Sequence, residues 1–271
     1  MNLKNKYLMI ILAVIIIKTN FSINVQAKEY NRFNNISIED GLSQATVETM
    51  MQDSKGYIWL GTNDGLDRYN GYTFKKYSYE KGQENSLVNS YILDIKEDSE
   101  GNIWVATAAG ISKIYNDGEK VQNYTSDSES GNLSNDNTTT MLISNSNKIY
   151  VGTAEGINLY DKKTDKFNLI YPELKEEYVN SLAEDKYGNI WAGTENGLYK
   201  INVVTNAIER FESTDDVNTI SENYIYKVYY DGDKHIWVGT YDNGFCKLNI
   251  ENNKVTRYLL TREDGTIRGA F

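Results

Sequence analysis

The side chains able to do covalent or metal chemistry are sparse. The chain holds one histidine, His235, and one cysteine, Cys246, against 38 acidic residues. A lone cysteine excludes an intrachain disulfide and a cysteine-based zinc site, and a lone histidine excludes a multi-histidine metal centre. The 28 Lys and Arg residues form no cluster and the net charge is −10. That balance opposes a nucleic-acid groove, which needs basic residues to displace counterions from phosphate. Asp-x-x-Gly segments such as Asp53-Ser-Lys-Gly56, and also Asp231-Gly-Asp233, partly match calcium loops. An EF-hand further needs a bidentate Glu at its twelfth position and flanking helices; neither is present, so these segments read as hairpin turns. Paired carboxylates for glycoside hydrolysis stay open, because acids abound and sequence carries no distances. No catalytic residue, metal or cofactor is nominated.

A second set of residues suits recognition. It comprises Gln44, Asn89, Asn135, Glu176 and Glu222, with Asn63, Asp64, Glu155, Glu195, Asn196, Tyr241 and Asp242. Amides, carboxylates and tyrosine offer directional donors and acceptors to a polyhydroxylated ligand. The amides equally suit Asx-type turns, in which they bond their own loop backbone.

What groups these residues is an internal repeat. Five segments match: Tyr57-Ile-Trp-Leu-Gly-Thr62, Asn102-Ile-Trp-Val-Ala-Thr107, Lys148-Ile-Tyr-Val-Gly-Thr153, Asn189-Ile-Trp-Ala-Gly-Thr194 and His235-Ile-Trp-Val-Gly-Thr240. Their central aromatics, taken as position zero, are spaced by 45, 46, 41 and 46 residues. Ile precedes every aromatic and Thr follows three places later. At −6 stand Asp53, Asp98, Asp185 and Asp231, with Ser144 in the third copy. At −17 all five copies are apolar: Leu42, Leu87, Leu133, Leu174 and Ile220.

A unit of this length fits four short strands, with the second strand on the Ile-Trp motif. Strands rich in Ile, Val, Tyr, Thr and Trp, with no 3.6-residue period, exclude helical repeats. The expectation is an all-β fold, a β-propeller of four-stranded blades with five repeats visible. Both faces of a blade are buried by its neighbours, so the central aromatic should fill the wedge between blades. The turn after the first strand should lie at one end of the propeller. The connections entering the first strand and the turns after the second should lie at the other. This places Gln44, Asn89, Asn135, Glu176 and Glu222, all at −15, as a ring around the channel mouth. His235, at −2, falls at the opposite end, away from a site there.

Residues 1–27 read as a secretory signal peptide. Lys4 and Lys6 precede an apolar run from Tyr7 to Ile17, and Val25-Gln26-Ala27 suits a cleavage site. The run is short for a span of about 20 residues; cleavage and retention as an anchor are both open. Residues 28–271 then form one extracytoplasmic propeller, secreted or membrane-anchored.

With Asp-x-x-Gly-x-Ile-Trp-x-Gly-Thr-x-x-Gly-Leu repeated in register, the chain resembles the two-component regulator propeller family. Ile38-Glu-Asp-Gly-Leu-Ser-Gln44 is similar to the family's opening of its first blade. The resemblance implies an extracytoplasmic sensor, the input half of a signalling receptor whose membrane helix and kinase, regulator or cyclase output usually follow the propeller. These 271 residues contain no such output, so the resemblance implies no kinase activity here. A small-molecule or saccharide ligand is the implied partner, with further blades or a signalling partner beside it. A secreted carbohydrate-binding or carbohydrate-cleaving propeller and a protein-interaction scaffold are the alternatives. Streptogramin-lyase-like propellers share Trp-containing blades but resemble enzymes with histidine on the ligand face. The phase of residues 30–36 is that of an outer strand, yet the fifth repeat has its own in Lys254 to Tyr258. Ile267 fits the −17 position of a sixth copy. Together these predict an incomplete ring with two unpaired faces.

Overall fold

The computed structural model describes residues 35–127 and 132–258. The signal peptide, residues 30–34 and Ile267 lie outside the described residues, and Asn35 and Ile36 are not in a strand. Twenty strands form five antiparallel four-stranded sheets, one per repeat, each in sequential order. Among the described residues there is no α-helix, only 3-10 turns at Ile38–Asp40 and Pro172–Leu174. The innermost strands are Val47–Gln52, Ile92–Glu97, Thr138–Ile143, Val179–Glu184 and Ile225–Tyr230, and each neighbours the next. The second strands carry the Ile-Trp motif, as in Ile58–Thr62 and Ile190–Thr194. The outer strands are Phe74–Tyr77, Val121–Tyr124, Lys166–Ile170, Ile208–Phe211 and Val255–Tyr258. The fifth blade therefore closes on its own outer strand, as the sequence predicts.

The repeated residues work as a box around the central aromatic. Trp59, Trp104 and Trp191 are buried, and each indole N–H donates to the Asp six residues earlier, at 2.7, 2.8 and 2.8 Å. The other carboxylate oxygen of that Asp accepts backbone N–H groups of its own turn, as Asp185 does from Tyr187 and Asn189. One side chain thus sets the hairpin and satisfies a donor that burial would otherwise leave costly. An outer-strand ring lies against each indole, Tyr77 and Tyr124 stacked and Phe211 tilted, at 5.6, 5.7 and 5.6 Å between centroids. A cation from the third strand covers the indole, Arg68 at 5.6 Å, Lys113 at 4.9 Å and Lys200 at 5.4 Å. Such a contact is worth about 0.5–2 kcal/mol, more where water is excluded. Lys113 is only 7% exposed and is also flanked by Tyr115 and Tyr160. The repeat Thr holds its own turn: Thr107 Oγ1 donates to the Gly110 carbonyl and accepts from Ala109 N–H. Gly110 needs both its freedoms, since φ is +119° and a Cβ would lie 2.5 Å from the Tyr124 carbonyl oxygen.

Four apolar clusters, one at each junction of successive blades, form the core. In each, the aromatic of one blade packs on the first and second strands of the next. The residue at −9 lies under the preceding aromatic: Ile95, Met141, Leu182 and Val228 are 2%, 1%, 7% and 3% exposed. Met50, the same position in the first blade, is 70% exposed. At the other terminus Trp237 is half-buried, and the rings beside it, Phe245 and Tyr258, are 39% and 37% exposed.

Candidate functional site

A cleft of about 570 Å³ lies where the five innermost strands converge, and every blade contributes to it. The shared contribution comes from position −11: Glu48, Leu93, Thr139, Asn180 and Tyr226. In each blade this residue is a β-bulge. Val47 pairs with Thr62 and Thr49 with Gly61, which leaves Glu48 unopposed. Leu93, Thr139, Asn180 and Tyr226 are skipped in the same way. A bulge adds a residue to one strand and re-aims its side chain, a device common beside binding sites. Here it frees one side chain per blade from the interblade packing that buries its neighbours Ile92, Val179 and Ile225.

A second tier stands two residues earlier, with Tyr91, Asn137 and Tyr178 lining the cleft. In the second and third blades the −15 amides hold this tier. Asn89 Oδ1 accepts from Tyr91 N–H at 2.7 Å, and Asn135 Oδ1 accepts from Asn137 N–H at 2.8 Å. Gln44 Oε1 accepts in the same manner from Thr46 N–H. Glu222 accepts from the Asp242 and Asn243 backbone N–H groups at 2.8 and 3.2 Å. This fixes the turn carrying Tyr241, whose ring stacks on Tyr224 at 4.9 Å. Glu176 is exposed, and the neighbouring Glu177 makes the bonds there, accepting from Asn196 Nδ2 and the Tyr199 hydroxyl. Asn135 Nδ2 also donates to Glu155. The amide oxygens of Gln44, Asn89 and Asn135 thus face their own loop backbone, and the cleft is lined instead by Tyr91 and Asn137, which two of them hold. Asn63, Asp64, Glu195 and Asp242 are exposed on the turns after the second strands and do not line the cleft.

The lining mixes open aromatic faces with a few polar groups. Tyr91 and Tyr226 are exposed. Asn137 Nδ2 donates to the Tyr178 hydroxyl at 3.2 Å, and Asn180 Nδ2 to the Ile225 carbonyl at 3.0 Å. Glu48 supplies a carboxylate and Lys227 an ammonium. Beside the mouth, burial pushes the Tyr224 phenol up, and the Glu195 carboxylate adds to it. His235 lies elsewhere: its Nδ1 meets Asp231 Oδ2 at 2.9 Å, in the place Asn102 and Asn189 take in their own turns. Burial raises the Asp231 carboxyl, but the His235, Asp233 and Lys234 backbone N–H groups and the imidazole outweigh it and hold it below the usual range.

The sequence model described as "Two component regulator propeller" matches residues 41–64, 86–109, 173–196 and 219–242. These are the repeats centred on Trp59, Trp104, Trp191 and Trp237. A histidine kinase P4 of Formosa agariphila is 39% identical over 64 residues, which is 23% of this chain and 5% of that protein. Among solved structures, the extracellular domain of a B. thetaiotaomicron protein described as a hybrid two component system is similar over 87% of this chain and 41% of its own, with TM-score 0.53 and 19% identity. Streptogramin B lyase is similar over 85% of this chain and 78% of its own, with TM-score 0.61 and 15% identity. PorZ, a surface component of the type-IX secretion system of Porphyromonas gingivalis, is similar over 79% of this chain and 34% of its own, with TM-score 0.58 and 16% identity. The chain thus spans a small part of the kinase and under half of the first structural relative. At these identities the structural likenesses establish the fold, and four of the chain's five repeats match the model of the two component regulator propeller family.

Proposed function

We propose that this propeller is the extracytoplasmic, ligand-binding input module of a two-component or related signalling receptor, and that it binds a saccharide in the central cleft. The observation that carries the reading is the set of five bulges. They leave the interblade packing intact while presenting five chemically different side chains to one cleft. Tyr faces with amides and a carboxylate suit the apolar faces and hydroxyl edges of a sugar. Variable residues on a rigid scaffold are where recognition is usually built. The histidine kinase relative and the extracellular domain of the hybrid system support the signalling assignment. The charged and apolar pattern of residues 1–27 supports export. Glu48 contributes the carboxylate of the lining, and binding rather than cleavage is the simpler use of one acid there, since glycoside hydrolysis uses a pair.

The test is a thermal-shift screen of the chain against neutral and acidic oligosaccharides, with linear polyols of matched size as controls. An oligosaccharide that raises Tm where the polyols do not supports the reading. No rise with any oligosaccharide overturns the saccharide assignment.

A second feature supports a partner for the two terminal faces. Met50, with half-buried Ile58 and Leu60, repeats the surface that each inner blade turns toward the preceding aromatic. Trp237 with Phe245 and Tyr258 repeats the surface that each blade turns toward the next. Further blades of the same repeat are the occupant these faces fit.

A further inference from the structure

The third blade departs from the box that the other blades share, and it does so at every member at once. Tyr150 stands in place of Trp, Ser144 in place of Asp, and Leu159 in place of the cation. Strand pairing identifies the fourth change. The outer-strand residue opposite Leu66, Ile111 and Leu198 is Tyr77, Tyr124 and Phe211, whereas opposite Ile157 it is Ile170. Three of the four replacements, Tyr150, Leu159 and Ile170, line one cleft of about 430 Å³ between the third and fourth blades. That volume lies within the range of about 300–1,000 Å³ typical of small-molecule sites.

Two further observations single out this cleft. Tyr150 is buried, at 3% residue exposure, and lines the cleft. Its hydroxyl is not sealed from solvent, since among the described residues Ser221 Oγ is the buried side-chain oxygen without a partner, and the phenol can bond a group that enters the cleft it lines. Burial, with Tyr171 and Glu184 nearby, pushes this phenol up to about 12, so it stays protonated near neutral pH. The second observation is Tyr171, on the cleft wall, held at φ +56°. The other positive-φ residues of the described chain are Gly, Asn or Asp, which tolerate that region; a bulky Tyr there is an outlier of the kind concentrated at ligand sites.

We propose that the wedge between the third and fourth blades is a second ligand site, which takes a planar aromatic ring of indole size carrying a ring N–H. In the other wedges an outer-strand ring, Tyr77, Tyr124 or Phe211, lies on the central indole; here Tyr150 fills the indole's place, and Ile170 leaves the place of the outer ring open to a planar ring. In this one, a ligand would lie between the Tyr150 and Tyr171 rings and the Leu159, Ile170 and Val203 side chains. The Tyr150 hydroxyl would accept its N–H. Lys148 and Glu173 line the same cleft and complete its polar side. The site is separate from the central cleft and does not depend on it.

The experiment is a titration of the full chain with indole, followed by ligand-observed NMR and calorimetry. It is repeated on a variant with Ser144→Asp, Tyr150→Trp, Leu159→Lys and Ile170→Tyr, which restores the shared box. Saturable binding to the native chain, weakened at least tenfold by the four changes, is the expected result. Should that variant fail to fold, Ile170→Tyr alone narrows the cleft and is expected to weaken binding as well. Tyr226→Ala, in the central cleft, should leave indole affinity within twofold. Equal binding by native and refilled chains, or no saturable binding up to the solubility of indole, overturns the proposal.

Discussion

Trp191 and Trp237 occupy the same position in successive blades, within nearly the same sequence, and their surroundings differ. Trp191 is fully buried, its N–H bonds to Asp185 at 2.8 Å, and the fifth blade covers its face with Ile225, Val228 and Ile236. Trp237 is half-buried, Asp231 is engaged by His235 instead, and its stacking partner Tyr258 is exposed. The cation is retained in both, Lys200 at 5.4 Å and Lys247 at 5.7 Å. The repeat therefore specifies a blade and the inner half of its box, while burial is conferred by whatever packs next. In a repeat protein stability is approximately a sum of unit and interface terms, and the comparison isolates one interface term.

The largest expected effect breaks this comparison open. Trp191→Ala should destabilise by about 3–5 kcal/mol, the cost of emptying a buried aromatic site, and Trp237→Ala by less than half as much. Chemical denaturation of both variants measures the difference, and equal losses would mean that the fifth blade's outer face is covered. A smaller effect comes from the opposite surface of the blade. Met141→Ser empties a buried site and should cost about 2 kcal/mol or more, whereas Met50→Ser, at an exposed one, should stay within about 0.5 kcal/mol. Melting temperatures of the two variants check this.

The smallest effect is electrostatic and sharpens the account of the box. Asp165 is joined to the second blade's box by hydrogen bonds from the Tyr160, Tyr124 and Gln122 side chains. Burial raises its carboxyl, but those three bonds and the Lys113 charge outweigh burial and hold it below the usual range. A carboxyl lowered in the folded state stabilises above its unfolded pKa of about 3.9, and that stability is lost as pH falls through the folded value. The native chain should therefore lose Tm on acidification below about pH 4 more steeply than Asp165→Asn, since the variant has already lost this contribution. Parallel acid limbs would show that Asp165 contributes nothing through its charge.

Much of this architecture was legible because the box residues recur. Ile and Trp, with Asp six places earlier, mark strand, wedge and turn at once, and the fifth outer strand, expected over Lys254 to Tyr258, is observed at Val255–Tyr258. The cation nine or ten places after the aromatic, Arg68, Lys113, Lys200 and Lys247, recurs too and could have been found in the same way. The cleft was not legible for the opposite reason. Glu48, Leu93, Thr139, Asn180 and Tyr226 share a backbone irregularity and no side-chain chemistry, so a search for repeated residue types passes over them. The −15 amides did stand out, but Asn89 and Asn135 recur because they hold the backbone of the lining tier. Recurrence reported the scaffold, while the cleft is lined by the one bulged position that varies from blade to blade.

The most direct test of the central claim sets these two classes of residue against each other. An oligosaccharide identified by thermal shift is titrated calorimetrically into the native chain, into Asn180→Ala with Tyr226→Ala, and into Asn63→Ala with Asp64→Ala. The bulged pair should weaken binding at least tenfold, about 1.4 kcal/mol, with an unchanged melting temperature. The turn pair, outside the cleft, should stay within twofold. Loss of binding in the turn pair with native affinity in the bulged pair would contradict the account.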